Sequence, residues 1–257
     1  MNLSILNTNA EFLKIRRTNA VWLTLAGAAF IPSVNFLKLI SRPDVFASRT
    51  KADPWAFMIS DNWAPAASLF LPIYVILMIS LVVQIEYTNN TWKQVYASPR
   101  SYADIYFSKF IVVLSLIVLW IALLSLFIIV SGYILETANS DYVFSGHPIP
   151  WKQLSTIAVK MLAAVFGITA IQYWLSLRFK NFVTPIGIGM ALLTAGLLIR
   201  QWEYISYYPY AQSLIVYFPN PGLEKETASK AILNSVVECI IVLGLGFYHM
   251  CIRKEKG

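Results

Sequence analysis

FIVVLSLIVLWIALLSLFIIVSGYIL, residues 110–135, runs for 26 positions without a charged side chain, and it decides the fold class. A helix needs about 20 apolar residues to cross the roughly 30 Å hydrocarbon core of a bilayer. Inside that core every backbone N–H and C=O must be bonded within the segment, so a run of this kind is read as a spanning helix. It is longer than a crossing requires, which predicts tilt or an extension past the membrane. Five further apolar runs flank it, at about 20–39, 64–85, 154–177, 181–199 and 231–252. Of the 257 residues, 58% are hydrophobic and only 13% charged. A soluble domain of this size carries about twice that share of charge. The expectation is an all-α membrane protein, a single domain over 1–257 with six transmembrane helices.

The formal charge of +7 does not point to nucleic acid, because the basic residues stand at the ends of the apolar runs, where they meet anionic lipid headgroups. Lys14, Arg16, Arg17, Lys93, Arg100, Lys109, Arg178, Lys180, Arg253, Lys254 and Lys256 crowd short segments on one side. The remaining basic residues are spread over longer loops on the other, so both termini are placed in the cytoplasm. The first run follows Lys14, Arg16 and Arg17 as a secretory signal would, but it is too long for a signal core and is expected to be retained. Cys239 and Cys251 lie in the last run and indicate no disulfide framework. His147 and His249 have no metal-ligand spacing, so no metal site is expected.

Two segments on the cytoplasmic side carry pattern. Thr8 and Glu11 have capping-box spacing ahead of Phe12-Leu13-Lys14-Ile15-Arg16-Arg17, which predicts a short helix. Phe12 and Ile15 would share one face, and Lys14 and Arg17 another, so that the helix lies along the inner membrane surface. The other reading is a plain basic anchor. The second segment is EYTNNTWKQVYASPR, residues 86–100. Thr88 or Asn89 can cap a helix on which Trp92, Val95 and Tyr96 form an apolar patch, and Pro99 ends it. Ser101 and Asp104 then start the next helix. A short rigid helix between two spans can receive a push from a partner; a simple helical hairpin is the alternative.

Glu86, Thr91-Trp92-Lys93, Ser98-Pro99-Arg100-Ser101 and Lys109-Phe110 together resemble the signature after the second span of the ABC type-2 permeases. Asn90 stands before Thr91 where the commoner form of that signature has glycine. Glu11-Phe12-Leu13-Lys14-Ile15-Arg16-Arg17 is similar to the N-terminal segment of the lantibiotic-immunity and bacitracin-resistance branch. The resemblance implies a half-transporter in a bacterial cytoplasmic membrane. A second permease subunit, identical or homologous, would pair with it, and a cytoplasmic ABC ATPase dimer would dock below and bring ATP and Mg. It further implies that Glu86, Thr91, Trp92, Lys93, Val95, Tyr96, Pro99 and Arg100 form an ATPase-coupling segment. Glu11, Lys14, Arg16 and Arg17 would belong to an N-terminal interface helix beside it. The cargo would be amphipathic or hydrophobic, a peptide antibiotic or a lipid-like molecule.

Other residues stand out for their place in the membrane. Trp202, Tyr204, Tyr207, Tyr208, Tyr210, Tyr217 and Phe218 crowd residues 201–222, with Pro209, Pro219 and Pro221 as breaks. Such a stretch reads either as a short re-entrant or interfacial segment on the outer side or as an aromatic belt. Glu238 and Lys160 lie at comparable depths in two spans that enter from outside. An unpaired intramembrane charge is costly. Glu238 therefore either pairs with Lys160 or lines the transport path, unless Lys160 snorkels outward and Glu238 is protonated or bonded locally. Asn35 and Gln172 are weaker path candidates, and helix–helix bonding is their usual role. Pro32 and Pro72 are expected to kink their spans. Gly187, Ala191 and Ala195 form a small-residue stripe expected to pack against another helix.

No glycine is followed by lysine, so there is no phosphate-binding loop, and neither H-E-x-x-H nor G-x-S-x-G occurs. The chain is therefore not expected to be an enzyme or to bind a cofactor itself. A non-transporting subunit of a membrane complex, and an enzyme acting on lipid-linked substrates, remain the other functional classes.

Overall fold

The computed structural model describes residues 11–15, 18–50, 52–88, 101–219 and 227–252, and all regular structure among them is helical. A helical turn at 11–15 precedes α1 (Asn19–Ser41), α2 (Pro43–Thr50) and α3 (Pro54–Pro65). A π-helical turn (Ala66–Phe70) joins α3 to α4 (Leu71–Thr88). Then come α5 (Tyr102–Ala138), α6 (Trp151–Ala164), α7 (Phe166–Arg178) and α8 (Val183–Leu198). Two 3-10 turns (Ile205–Tyr207, Pro209–Ala211) lead into α9 (Gln212–Tyr217), and α10 (Thr227–Ile252) follows.

Five helical stretches are long and apolar enough to cross a membrane: Asn19–Ser41, Pro54–Tyr87, Tyr102–Ala138, Trp151–Arg178 and Thr227–Ile252. The run expected at 181–199 forms α8, of 16 residues. At 1.5 Å per residue that is about 24 Å, short of a full hydrocarbon crossing. Among the five, 67% of the second stretch's most apolar window is buried but only 22% of the last one's, so α3–α4 is the central helix and α10 is peripheral. Trp22, Phe30, Leu37, Leu126, Ile134, Leu198, Leu233, Ile240 and Leu245 are exposed. An apolar exterior on this scale is untenable in water and ordinary against lipid.

The second span begins ten residues earlier than its apolar run. Asp53 caps α3 by accepting from Ala56 N at 2.9 Å, and Pro54 occupies the first turn. Asp61, which reads as loop, is held inside this helix by an ion pair with Lys38 of α1. The 41–62 stretch, between the first two apolar runs, is thus mostly helical. The distortion in this span lies at residues 66–70, between Pro65 and Pro72, each of which removes a ladder donor. Pro65 frees the carbonyl of Asp61, and Asn35 Nδ2 of α1 fills it at 3.1 Å. The third span extends to Ala138, as its excess length suggested. The outer connection after it is packed: Tyr142 and Phe144 are buried, Tyr142 OH donates to Leu39 O, and Trp55 Nε1 donates to His147 O.

The small-residue stripe of α8 faces the other way from the expectation. Gly187 has nothing within 4 Å of where a Cβ would stand, and Ala191 is exposed. The face that packs within the chain is Pro185, Gly189, Leu193 and Gly196. A Cβ on Gly189 would come within 2.7 Å of Gln172 Oε1 and 3.0 Å of Ile76. Close approach of neighbouring residues, not the i, i+4 spacing of small ones, selects this face.

Candidate functional site

At the end of the bundle where α4 stops and α5 begins, four charges close a ring. Lys14 Nζ lies 2.7 Å from Glu11 Oε1 and 2.8 Å from Glu86 Oε1. Lys109 Nζ lies 2.9 Å from Glu11 Oε2 and 3.2 Å from Glu86 Oε1. Each lysine bridges both glutamates, and the formal charges cancel. Glu86, Lys109 and Glu11 are buried, at 1%, 3% and 4% exposure, while Lys14 is partly open. The ring ties the 11–15 turn to both helices that flank residues 89–100. Tyrosines brace the same end: Tyr87 OH donates to Leu177 O of α7, Tyr173 OH to Tyr106 O of α5, and Tyr106 OH to Leu243 O of α10.

Phe12 and Ile15 of the 11–15 turn do not share one face as expected. Glu11 and Ile15 form its buried face, whereas Phe12 and Leu13 are exposed. Lys14 is bound to carboxylates within the chain, so it does not act as a headgroup anchor. Arg16, Arg17, Thr91, Trp92, Lys93, Val95, Tyr96, Pro99 and Arg100, and with them the helix expected at 88–98, fall on residues outside those described.

Burial pushes the Glu11 carboxyl up, but the Lys109 charge and the bonds from Lys14 and Lys109 outweigh it, and its pKa falls below the usual 4.5. Burial likewise pulls Lys14 down, but its bonds to Glu11 and Glu86 outweigh that, and its pKa rises above the usual 10.5. A depressed carboxyl contributes stability above its unfolded pKa and loses it as pH falls through the folded value. A raised ammonium contributes below its unfolded pKa and loses it as pH rises through the folded value. The turn is therefore clamped across the neutral range and released at both extremes. A spin label at Leu13→Cys, in a background with Cys239 and Cys251 replaced, is expected to stay immobile near pH 7. It should become mobile only below about pH 4.5 or above about pH 10.5. Mobility unchanged over that whole range would show that the clamp is not ionic.

A second polar cluster lies within the helices. Gln172 of α7 is fully buried; its Nε2 donates to Pro185 O at 2.9 Å and to Ser80 Oγ at 3.3 Å, and its Oε1 accepts from Tyr210 OH at 3.2 Å. It joins α4, α7, α8 and the segment before α9. That segment is packed into the bundle: Ile205, Tyr210 and residues 211–216 are buried, and Tyr208 OH donates to Leu192 O of α8. Trp202, Tyr204 and Tyr207 stay exposed, and Tyr217 is partly buried. Burial pushes the Tyr208, Tyr210 and Tyr217 hydroxyls up, so all three are neutral donors at neutral pH.

Glu238 lies near the middle of α10. Its Oε2 accepts from Gln212 Nε2 of α9 at 2.8 Å. Lys160 is exposed on α6, and no ion pair joins it to Glu238 among the described residues. Asn35 bonds the Asp61 carbonyl and Gln172 its four-way hub, so both make helix–helix contacts. Lys109 stands in the sequence signature but without a partner, and Gln212 is a partner that the sequence does not mark at all. A lysine one residue ahead of an apolar run was the available signal for Lys109; Gln212, inside an aromatic stretch, gave none.

A family model described as ABC-2 family transporter protein matches residues 8–196 of this chain. No curated protein matches it, and no solved structure does.

Proposed function

This chain belongs to the ABC-2 family of transporter proteins, and from that premise we propose that it is the permease subunit of an exporter driven by a separate ATPase. In this reading α8 is the fifth of six spans, shortened because the 199–218 segment dips back to meet its outer end. Both termini face the cytosol. Two permease subunits pair above two ATP-binding subunits, and residues 88–98 are the lever those subunits grip. The packed 205–217 segment is the outer re-entrant element that closes the exit. The cargo is amphipathic or hydrophobic.

The charge ring is the observation that supports this reading most. A loop hinged on two independent helices would absorb a push. Here Glu86 and Lys109 bond the helices on either side of residues 89–100 to each other and to the N-terminal turn, so displacement of the connection moves them as one body. Tyr106, one turn before Lys109, carries contact onward to Leu243 of α10. That helix also bears Glu238, which bonds the outer segment through Gln212. A nucleotide-driven movement thus has a packed route from one face of the bundle to the other.

Affinity purification of the full chain from its native membrane is expected to bring down an ATP-binding subunit. The double substitution Trp92→Ala, Lys93→Ala should abolish that association while leaving the chain in the membrane. Retention of the ATPase by the double variant would refute the coupling assignment.

A further inference from the structure

Glu238 presents a combination found at no other carboxylate among the described residues: it lies deep inside a spanning helix and has no cation beside it. It stands eleven positions from the start of α10 and fourteen from its last described residue. The one hydrogen bond it accepts is from a neutral amide, Gln212 Nε2. Glu86, a buried carboxylate at the end of α4, is by contrast matched by two ammonium groups. A charge at such depth is costly unless something compensates it.

The surrounding atoms show what kind of partner fits. Gln212 is fully buried, its Nε2 is directed at Glu238 Oε2 and Ser206 O, and its Oε1 accepts no hydrogen bond. Against an ionised Glu238, turning the amide over would set an oxygen against two acceptors, so the orphan is Oε1. Both side chains crowd the backbone of Gly167 in the first turn of α7. A Cβ there would stand 2.6 Å from Glu238 Oε2 and 3.1 Å from Gln212 Oε1. Glycine therefore lets a carboxylate and an orphan carbonyl oxygen stand side by side. Gly167 N is already bonded to Ser235 Oγ, so the backbone offers no further donor at that residue.

Two adjacent acceptors, one of them anionic and one buried without a donor, call for a compact cation with several N–H groups. We propose that Glu238 and Gln212 form a receptor for the primary ammonium group of an amphipathic cargo, in the half of the bundle closed by the 205–217 segment. A primary ammonium carries a point charge and three donors, enough to serve both oxygens at once. A quaternary ammonium brings the charge but no donor for Gln212 Oε1; a neutral alcohol brings a donor but no charge for Glu238. The proposal rests on the reading of this chain as a permease and names the class of cargo.

The test uses the full chain with its co-purifying subunits, in phosphatidylcholine nanodiscs and without nucleotide, so that ATPase coupling plays no part. Binding of dodecylammonium, dodecyltrimethylammonium and dodecanol is measured by thermal protection. The primary amine is expected to bind about tenfold or more tightly than either analogue, as hydrogen bonds to a charged group would give. Glu238→Gln should erase its advantage over dodecanol, and Gln212→Met its advantage over the quaternary amine. Should neither variant fold, the three-ligand series on the unaltered protein still decides. Equal affinity for the three ligands, an undiminished preference in Glu238→Gln, or full protection by ammonium chloride or sodium chloride alone would overturn the proposal. Such a failure leaves the ATPase association intact, whereas a failure of the coupling assignment would leave amine binding unchanged.

Discussion

Lys109→Met is expected to destabilise the protein by about 3–5 kcal/mol, the usual cost of leaving a buried carboxylate without its partner. Lys109 is bonded to both Glu11 and Glu86, and all three are buried. Removing its charge takes away a cation that both glutamates share and leaves Lys14 as the ammonium bridging them among the described residues. Methionine fills the volume, so the loss is electrostatic and not a cavity effect. Adding Glu86→Gln restores neutrality and leaves the Glu11–Lys14 pair, so the double variant should recover about 2 kcal/mol or more of the loss. Thermal denaturation of the four proteins in mild detergent measures the coupling. Strict additivity of the two substitutions would mean that the ring is not a unit. Because the ring holds the helices around residues 89–100, Lys109→Met should also weaken ATPase-driven work more than it lowers the amount of protein in the membrane.

Gln172→Leu should cost about 3 kcal/mol, because it removes one buried amide that serves three partners. Tyr210 OH loses its acceptor, and Pro185 O and Ser80 Oγ lose a donor. Tyr210 is buried, so its hydroxyl cannot turn to solvent. Tyr210→Phe in the same chain removes the stranded hydroxyl and should return about 1 kcal/mol or more. The functional consequence should appear at the outer side: with Tyr210 released from α7, the 205–217 segment keeps Tyr208 OH on Leu192 O of α8, and Gln212 Nε2 on Glu238 and Asn234 Nδ2 on Ser206 O at α10. Faster hydrogen exchange across residues 205–217 in the single variant, partly reversed in the double one, is the expected reading. Unchanged exchange would show that the hub does not hold that segment.

The membrane class was legible because apolar run length is a one-dimensional property. The charge-free run at 110–135 lies within α5, and the Ser101–Asp104 capping box starts that helix, with Ser101 Oγ accepting from Asp104 N at 3.0 Å. The start of α3 was not legible, because Asp61 looks like loop until Lys38, 23 residues away in sequence, neutralises it. Glu11, Lys14 and Glu86 stood out one by one, but their closure into a ring depends on contacts 72 and 98 residues apart. The α8 stripe misled for a related reason: spacing marks a face of small residues without saying which face meets a neighbour. Gly189 and Gly196 are the ones crowded by Gln172 and Tyr208. Comparable depth suggested Glu238 beside Lys160, yet depth gives no azimuth around the bundle, and Gln212 of the outer segment stands there instead.

The account depends on residues 88–98 meeting an ATP-binding subunit in the cytosol. The direct measurement is to install a benzoylphenylalanine at Trp92 in the full chain, irradiate native membranes, and identify what is captured. The account predicts a covalent adduct with an ATP-binding subunit, formed in inside-out and right-side-out vesicles alike, together with protection of that position from impermeant reagents added outside. Capture of no ATP-binding protein, or modification of the position from the external face, would contradict it.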